Sequence, residues 1–188
     1  MAGIALDFST ADIWFASVQK CFGLPAGLAL MLCSPQTMEH TVRVGENNHY
    51  NSITLMADMM RKQQTTHTPN VLGIYLLRRV LQKMPPIKEV DGQIRRRPSA
   101  WFDFFDQHNS LRPYIGDRRV RSQTVVTLNG APPFIKDLKL KAKKKGFVLG
   151  AGYGPLNLST VRIANFPAHK SKEINQLMRF FDQFHNQP

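Results

Sequence analysis

A lone lysine, Lys20, interrupts the stretch WFASVQKCFGLPAGLALML between two apolar runs, and the turn Gly23-Leu24-Pro25-Ala26-Gly27 follows at once. A lysine at the end of a buried strand, screened from water, loses solvation of its charged form. The neutral amine is then a nucleophile able to form a Schiff base with a carbonyl. The commonest use of that chemistry is to hold pyridoxal phosphate, the electron sink of amino-acid chemistry. Two other residues stand out by type and place. Thr68, just before Pro69, reads as a helix N-cap with proline at the first helical position. Arg162 sits in the apolar run STVRIANF, where an inward guanidinium requires a partner.

The elements that position these residues follow from pattern. Asp12 to Val18 and Leu28 to Cys33 read as two short buried strands joined by the Gly/Pro turn. Ser34-Pro35 is an N-cap followed by a first-turn proline, so a helix starts there, and a Met-rich helix is expected from Ser52 to Lys62. In TTHTPNVLGIYLLRRVLQKMPP the apolar face is read as Val71, Leu72, Tyr75, Leu76, Val80 and Leu81, with Pro85-Pro86 as the stop. A further helix is expected from Ala100 to Asn109. Beyond Gly116 the order is strand (RSQTVVTLNG), helix (Pro133 to Lys145), strand (GFVLGAG), strand (STVRIANF) and a C-terminal helix from Lys170 to His185. The expected division is therefore 1–115 and 116–188, in an α/β chain.

Composition excludes some classes. Of 188 residues 43% are hydrophobic and 20% charged, which describes a globular protein rather than a disordered one. No apolar run is long enough for a membrane helix, and the start of the chain lacks a basic leader region, so no membrane partner is expected and the localisation read is cytoplasmic. Cys21 and Cys33 read as reduced core thiols, and the histidines show no metal-ligand grouping. The net charge of +12 could serve nucleic acid, yet the cations are dispersed over Arg95–Arg97, Arg118, Arg119, Arg121 and Lys136–Lys145 with no recognition motif. A basic module binding nucleic acid or an acidic partner is the rival reading, and a solvated charged surface is the favoured one.

SVQKCFGLPAGLALML resembles the cofactor-lysine segment of class V aminotransferases, especially the phosphoserine aminotransferase branch. TTHTPNVLGIYLL resembles that family's Thr-Pro segment, and STVRIANF resembles the strand bearing its carboxylate-binding arginine. The resemblance implies the C-terminal part of a fold-type I pyridoxal-phosphate transferase: the end of a large mixed-sheet domain, then a small α/β domain. It implies that Lys20 forms the internal aldimine and moves the substrate proton, and that Gln19 lines the same pocket. Thr68 would bind the cofactor phosphate of a neighbouring subunit in a homodimer, with His67 beside it where the family usually has asparagine. Arg162 would grip the substrate α-carboxylate. The substrates implied are an amino acid, with glutamate as donor, and a 2-oxo acid. GYGPLNLSTVR offers no basic residue ahead of Arg162 for a substrate phosphate, so class V membership is better supported than phosphoserine specificity.

A complete member of the family is about twice this length and carries an upstream aspartate for the pyridine nitrogen and an aromatic that stacks on the ring. The chain is therefore expected to be a C-terminal half whose N-terminal half is missing. Its sheet would then have an open edge and an exposed apolar face, and it would be inactive alone.

Overall fold

The computed structural model describes residues 2–185 as two compact units, one running from Ala5 to Met84 and one from Pro85 onward, to which Ala2–Ile4 also belong. The boundary expected at 115/116 falls inside the second unit, because the helix that precedes it supplies side chains to that unit's core.

In the first unit, β1 (Ile13–Ser17) and β2 (Ala29–Cys33) form an antiparallel hairpin with Ile13 opposite Cys33 and Ser17 opposite Ala29. The strands are not the buried pair that their composition suggests. Phe15 is 80% exposed and Leu32 50%, because a sheet of two strands has too few neighbours to cover both faces. Helix α1 (Pro35–Val44) starts as its sequence predicts: Ser34 Oγ accepts from the Thr37 amide at 3.1 Å and donates to Asp12 Oδ1 at 2.9 Å, which ties the helix start to the foot of β1. Helix α2 (Ile53–Arg61) is capped by Ser52 in the same manner.

Helix α3 (Val71–Lys83) departs from expectation twice. Its N-cap is Asn70, whose Oδ1 accepts from the Gly73 amide at 2.9 Å, and not Thr68. Asparagine is the better cap of the two, and it stands nearer the apolar run. The inward stripe is Gly73, Leu76, Leu77 and Val80, with Leu77 alone fully buried, whereas Val71, Leu72, Tyr75 and Leu81 are exposed. VLGIYLL is apolar all round, so periodicity could not choose the face.

The second unit is built on a four-stranded antiparallel sheet of order β3-β4-β6-β5, formed by Arg112–Pro113, Val125–Asn129, Thr160–Ala164 and Gly150–Ala151 respectively. Val126, Leu128, Val161 and Ile163 face a core completed by α4 (Ile87–Asp106), α5 (Pro132–Lys144) and α6 (Ser171–His185). Phe105 and Phe181 meet edge to face there, with centroids 5.1 Å apart. The expected GFVLGAG strand shrinks to two residues. A Cβ at Gly152 would lie 2.2 Å from Thr160 Oγ1 and 2.6 Å from the Leu156 carbonyl, so only glycine fits where the chain leaves β5.

Helix α4 is longer than the Ala100–Asn109 segment expected, because Pro98 lies inside it rather than before it. Proline has no amide to offer the carbonyl of Ile94, one turn earlier. Asn165 takes that place. It is fully buried, and its Nδ2 donates to the Ile94 carbonyl at 2.8 Å and to the Gln123 carbonyl at 2.7 Å. Replacing Asn165 by Ala should cost about 2–4 kcal/mol, a buried and a half-buried carbonyl having lost their donor. Urea unfolding of the two proteins measures this, and an unchanged midpoint would refute the bridging role.

Candidate functional site

Lys20 lies in the loop that joins β1 to β2. The Val18 amide bonds the Leu28 carbonyl at 3.1 Å and the Leu24 amide bonds the Val18 carbonyl at 3.2 Å, so the loop is pinched shut at its base. The Lys20 carbonyl accepts from the Gly23 amide at 2.9 Å, and Gly23 (φ 69°) and Gly27 (φ 117°) take backbone conformations that favour glycine. Lys20 and Gln19 are both exposed, so the water-screened lysine expected from the flanking apolar runs is not what the chain forms. Among the described residues no carboxylate pairs with Lys20. Cys21 beside it is half-buried, which pushes its thiol pKa up and leaves it a poor nucleophile. Cys33 is likewise half-buried rather than a core residue.

His67 and Thr68 occupy a second loop, between α2 and α3. With the 63–69 segment and Ile74 they line a cavity of about 590 Å³. His67 packs on Tyr50 with ring centroids 4.5 Å apart, and its Nδ1 lies 3.1 Å from Thr66 Oγ1. Thr68 is exposed, and its hydroxyl has no partner among the described residues. The two loops approach each other at Gly27 and Asn70: a Cβ built on Gly27 would lie 3.7 Å from Asn70 Nδ2. The segment after Lys20 thus runs against the start of the helix that follows Thr68. Asn70 was missed in the sequence, although its rank as an N-cap could have revealed it.

Arg162 belongs to the second unit. Its Nε donates to the Ala151 carbonyl at 2.7 Å, and its guanidinium lies 4.2 Å over the Tyr153 ring. These are the partners that an arginine on an apolar strand requires. Nη1 and Nη2 are left without a hydrogen-bond partner among the described residues. Gly150, opposite Arg162 on β5, has no side chain to crowd it: an added Cβ would lie 3.2 Å from the Arg162 carbonyl oxygen. A guanidinium anchored at Nε and steadied by a ring presents its two outer nitrogens as a fork for a carboxylate.

Three arginines of the basic stretches are engaged within the second unit. Arg121 is buried, bonds Asp106 at 3.1 Å and the Ile115 carbonyl at 2.8 Å, and stacks on Phe102. Arg118 pairs with Asp103 and Asp106, and Arg119 with Asp117. Hydrogen bonds from Arg121, then from Arg118, hold the Asp106 carboxyl below the usual carboxylate range. A carboxylate with a lowered native pKa adds stability above its unfolded pKa, and that stability is lost as pH falls through the native value. Acid titration of unfolding should therefore show the wild type losing stability below the ordinary aspartate range, with an Asp106→Asn variant flatter there. Equal slopes would show that the cluster does not couple to folding.

No family model matches the chain. It is 25% identical, over 96% of its length, to a phosphoserine aminotransferase of Corynebacterium glutamicum, and 24% identical to one of Rhodococcus opacus, in each case over half of that protein. Among solved structures, a phosphoserine aminotransferase of Cytophaga hutchinsonii matches 94% of this chain and 50% of its own at a TM-score of 0.83 and 28% identity. A pyridoxamine-pyruvate aminotransferase of Mesorhizobium loti matches in fold at a TM-score of 0.80 and 18% identity. The chain thus spans about half the length of the relatives it matches, and its mixed α/β fold corresponds to their C-terminal halves.

Proposed function

We propose, from the premise that this chain is similar to the C-terminal half of class V, phosphoserine aminotransferase-like enzymes, that it is the lysine-bearing half of a pyridoxal-phosphate-dependent transaminase. One observation carries the reading. The Arg162 guanidinium is anchored through Nε and a ring face while both outer nitrogens stay open, which is the geometry for gripping a carboxylate.

The residues fit pyridoxal phosphate in kind: an amine without an acid partner at Lys20, and a free hydroxyl at Thr68 beside His67 on the rim of a cavity. When bound, that group supplies an electron sink for the substrate α-carbon. Lys20 Nζ then holds the cofactor and carries the proton to and from the α-carbon. Gln19 lines the same pocket, and Arg162 orients the substrate through its carboxylate. Thr68 and His67 serve the phosphate in the site of a second subunit, which makes the working form a homodimer. Glutamate is the donor and a 2-oxo acid the acceptor.

The half-length match also supports a chain that is inactive alone, with the aspartate for the pyridine nitrogen and the stacking aromatic coming from an N-terminal half. The exposed β1–β2 hairpin is where such a half would pack, since Phe15 and Leu32 lie open on it. The purified chain should show no glutamate-dependent formation of 2-oxoglutarate. Supplying the N-terminal half of the Corynebacterium relative should restore it. Lys20→Ala should then abolish turnover, and Arg162→Lys should raise KM about tenfold or more with a smaller effect on kcat, since a point charge replaces a fork. Turnover that survives Lys20→Ala would overturn the assignment.

A further inference from the structure

We propose that the second unit carries a binding site of its own for a small monocarboxylate with an apolar body. The site is a cavity of about 720 Å³, a volume suited to a small organic ligand. One wall is a stripe of α6 on which Gln176, Leu177, Phe180 and Gln183 recur at the spacing of a single helix face. The other wall is the chain leaving α5, residues Lys145–Leu149, and the base is the 162–164 segment of β6.

The cavity exists because the sheet stops short. Strand β5 pairs with β6 only at Gly150 opposite Arg162 and Ala151 opposite Val161, and the chain before it diverges, leaving Val148 91% exposed. The Asn165 amide bonds the Thr124 carbonyl at 2.8 Å. Antiparallel alternation therefore turns the neighbouring Ala164 amide the other way, toward the side that β5 does not reach. That amide has no hydrogen-bond partner among the described residues. Ala164 itself lines the cavity.

The lining selects the ligand. Phe147, Leu149, Leu177 and Phe180 offer apolar surface. Lys145 and Arg179 offer charge, and neither pairs with a carboxylate among the described residues. The acid in the lining, Glu173, already accepts from the Lys170 amide at 2.9 Å. A small inorganic anion would leave the apolar walls wet, and a neutral ligand would leave the cations and the Ala164 amide unused. An anionic head on an apolar body satisfies both. Arg162 also borders the cavity at its base, and strand alternation sends its side chain to the opposite face from Val161 and Ile163, which point into the core.

Calorimetric titration of the purified 188-residue chain with octanoate, 3-phenylpropanoate and octan-1-ol tests the proposal. At least one carboxylate should bind saturably at one per chain, with octan-1-ol about tenfold weaker for want of the charge-assisted contacts. Arg179→Gln should lose a similar factor. Gln176→Trp, at an exposed wall position, should block binding while the unfolding midpoint stays unchanged. No saturable binding of either carboxylate up to about 10 mM, equal binding of the alcohol, or indifference to both substitutions would overturn it. Lys20→Ala should bind octanoate as the wild type does, so this site and the transaminase assignment stand or fall separately.

Discussion

The second unit depends on one side-chain amide. Pro98 deletes a donor from the middle of a twenty-residue helix, and the carbonyl that lost it belongs to Ile94, a residue with no exposure at all. An unpaired carbonyl at that depth would bend or break the helix. Asn165 satisfies it and with the same group holds the Gln123 carbonyl, so the end of β6, the entry to β4 and the middle of α4 share a single tie. Arg162 rides on the strand whose end that tie fixes.

The first unit is organised by the opposite circumstance, a shortage of neighbours. The β1–β2 hairpin and α3 carry enough apolar side chains for burial on several sides, and the described structure covers one. Lys20 is exposed for the same reason. The lysine loop is nevertheless well defined, because its pinch bonds and its two left-handed glycines are local and need no outside partner.

What could be read from the sequence follows the same division. Features set by local chemistry were legible: Ser34 as a cap, the start of α2 at Ser52, the glycine-proline turn after Lys20, the limits of α5 and α6, and the strands around Leu128 and Arg162. Features set by distant partners were not. Nothing near Pro98 announces that a residue far along the chain will supply its missing bond, so the proline reads as a break and α4 is shortened. Nothing in VLGIYLL says which side will meet a neighbour. Arg162 was expected to need a partner if it pointed inward; its side chain leaves the face opposite the core, and Tyr153 and the Ala151 carbonyl become its partners only through sheet pairing. Asn70 was legible and overlooked, since Thr68-Pro69 offered a second plausible cap.

Gly152 has a use beyond folding. The space a β-carbon would need there is already filled by the Thr160 hydroxyl and the Leu156 carbonyl, so the position rejects every side chain whatever happens at Lys20 or Arg162. A gene no longer required to produce a folded product would drift at this codon as freely as at any other. One still under selection would keep glycine even if Lys20 and Arg162 changed. Position 152 is therefore a gauge, readable in the sequences of close kin, that separates retention of the shape from retention of the chemistry.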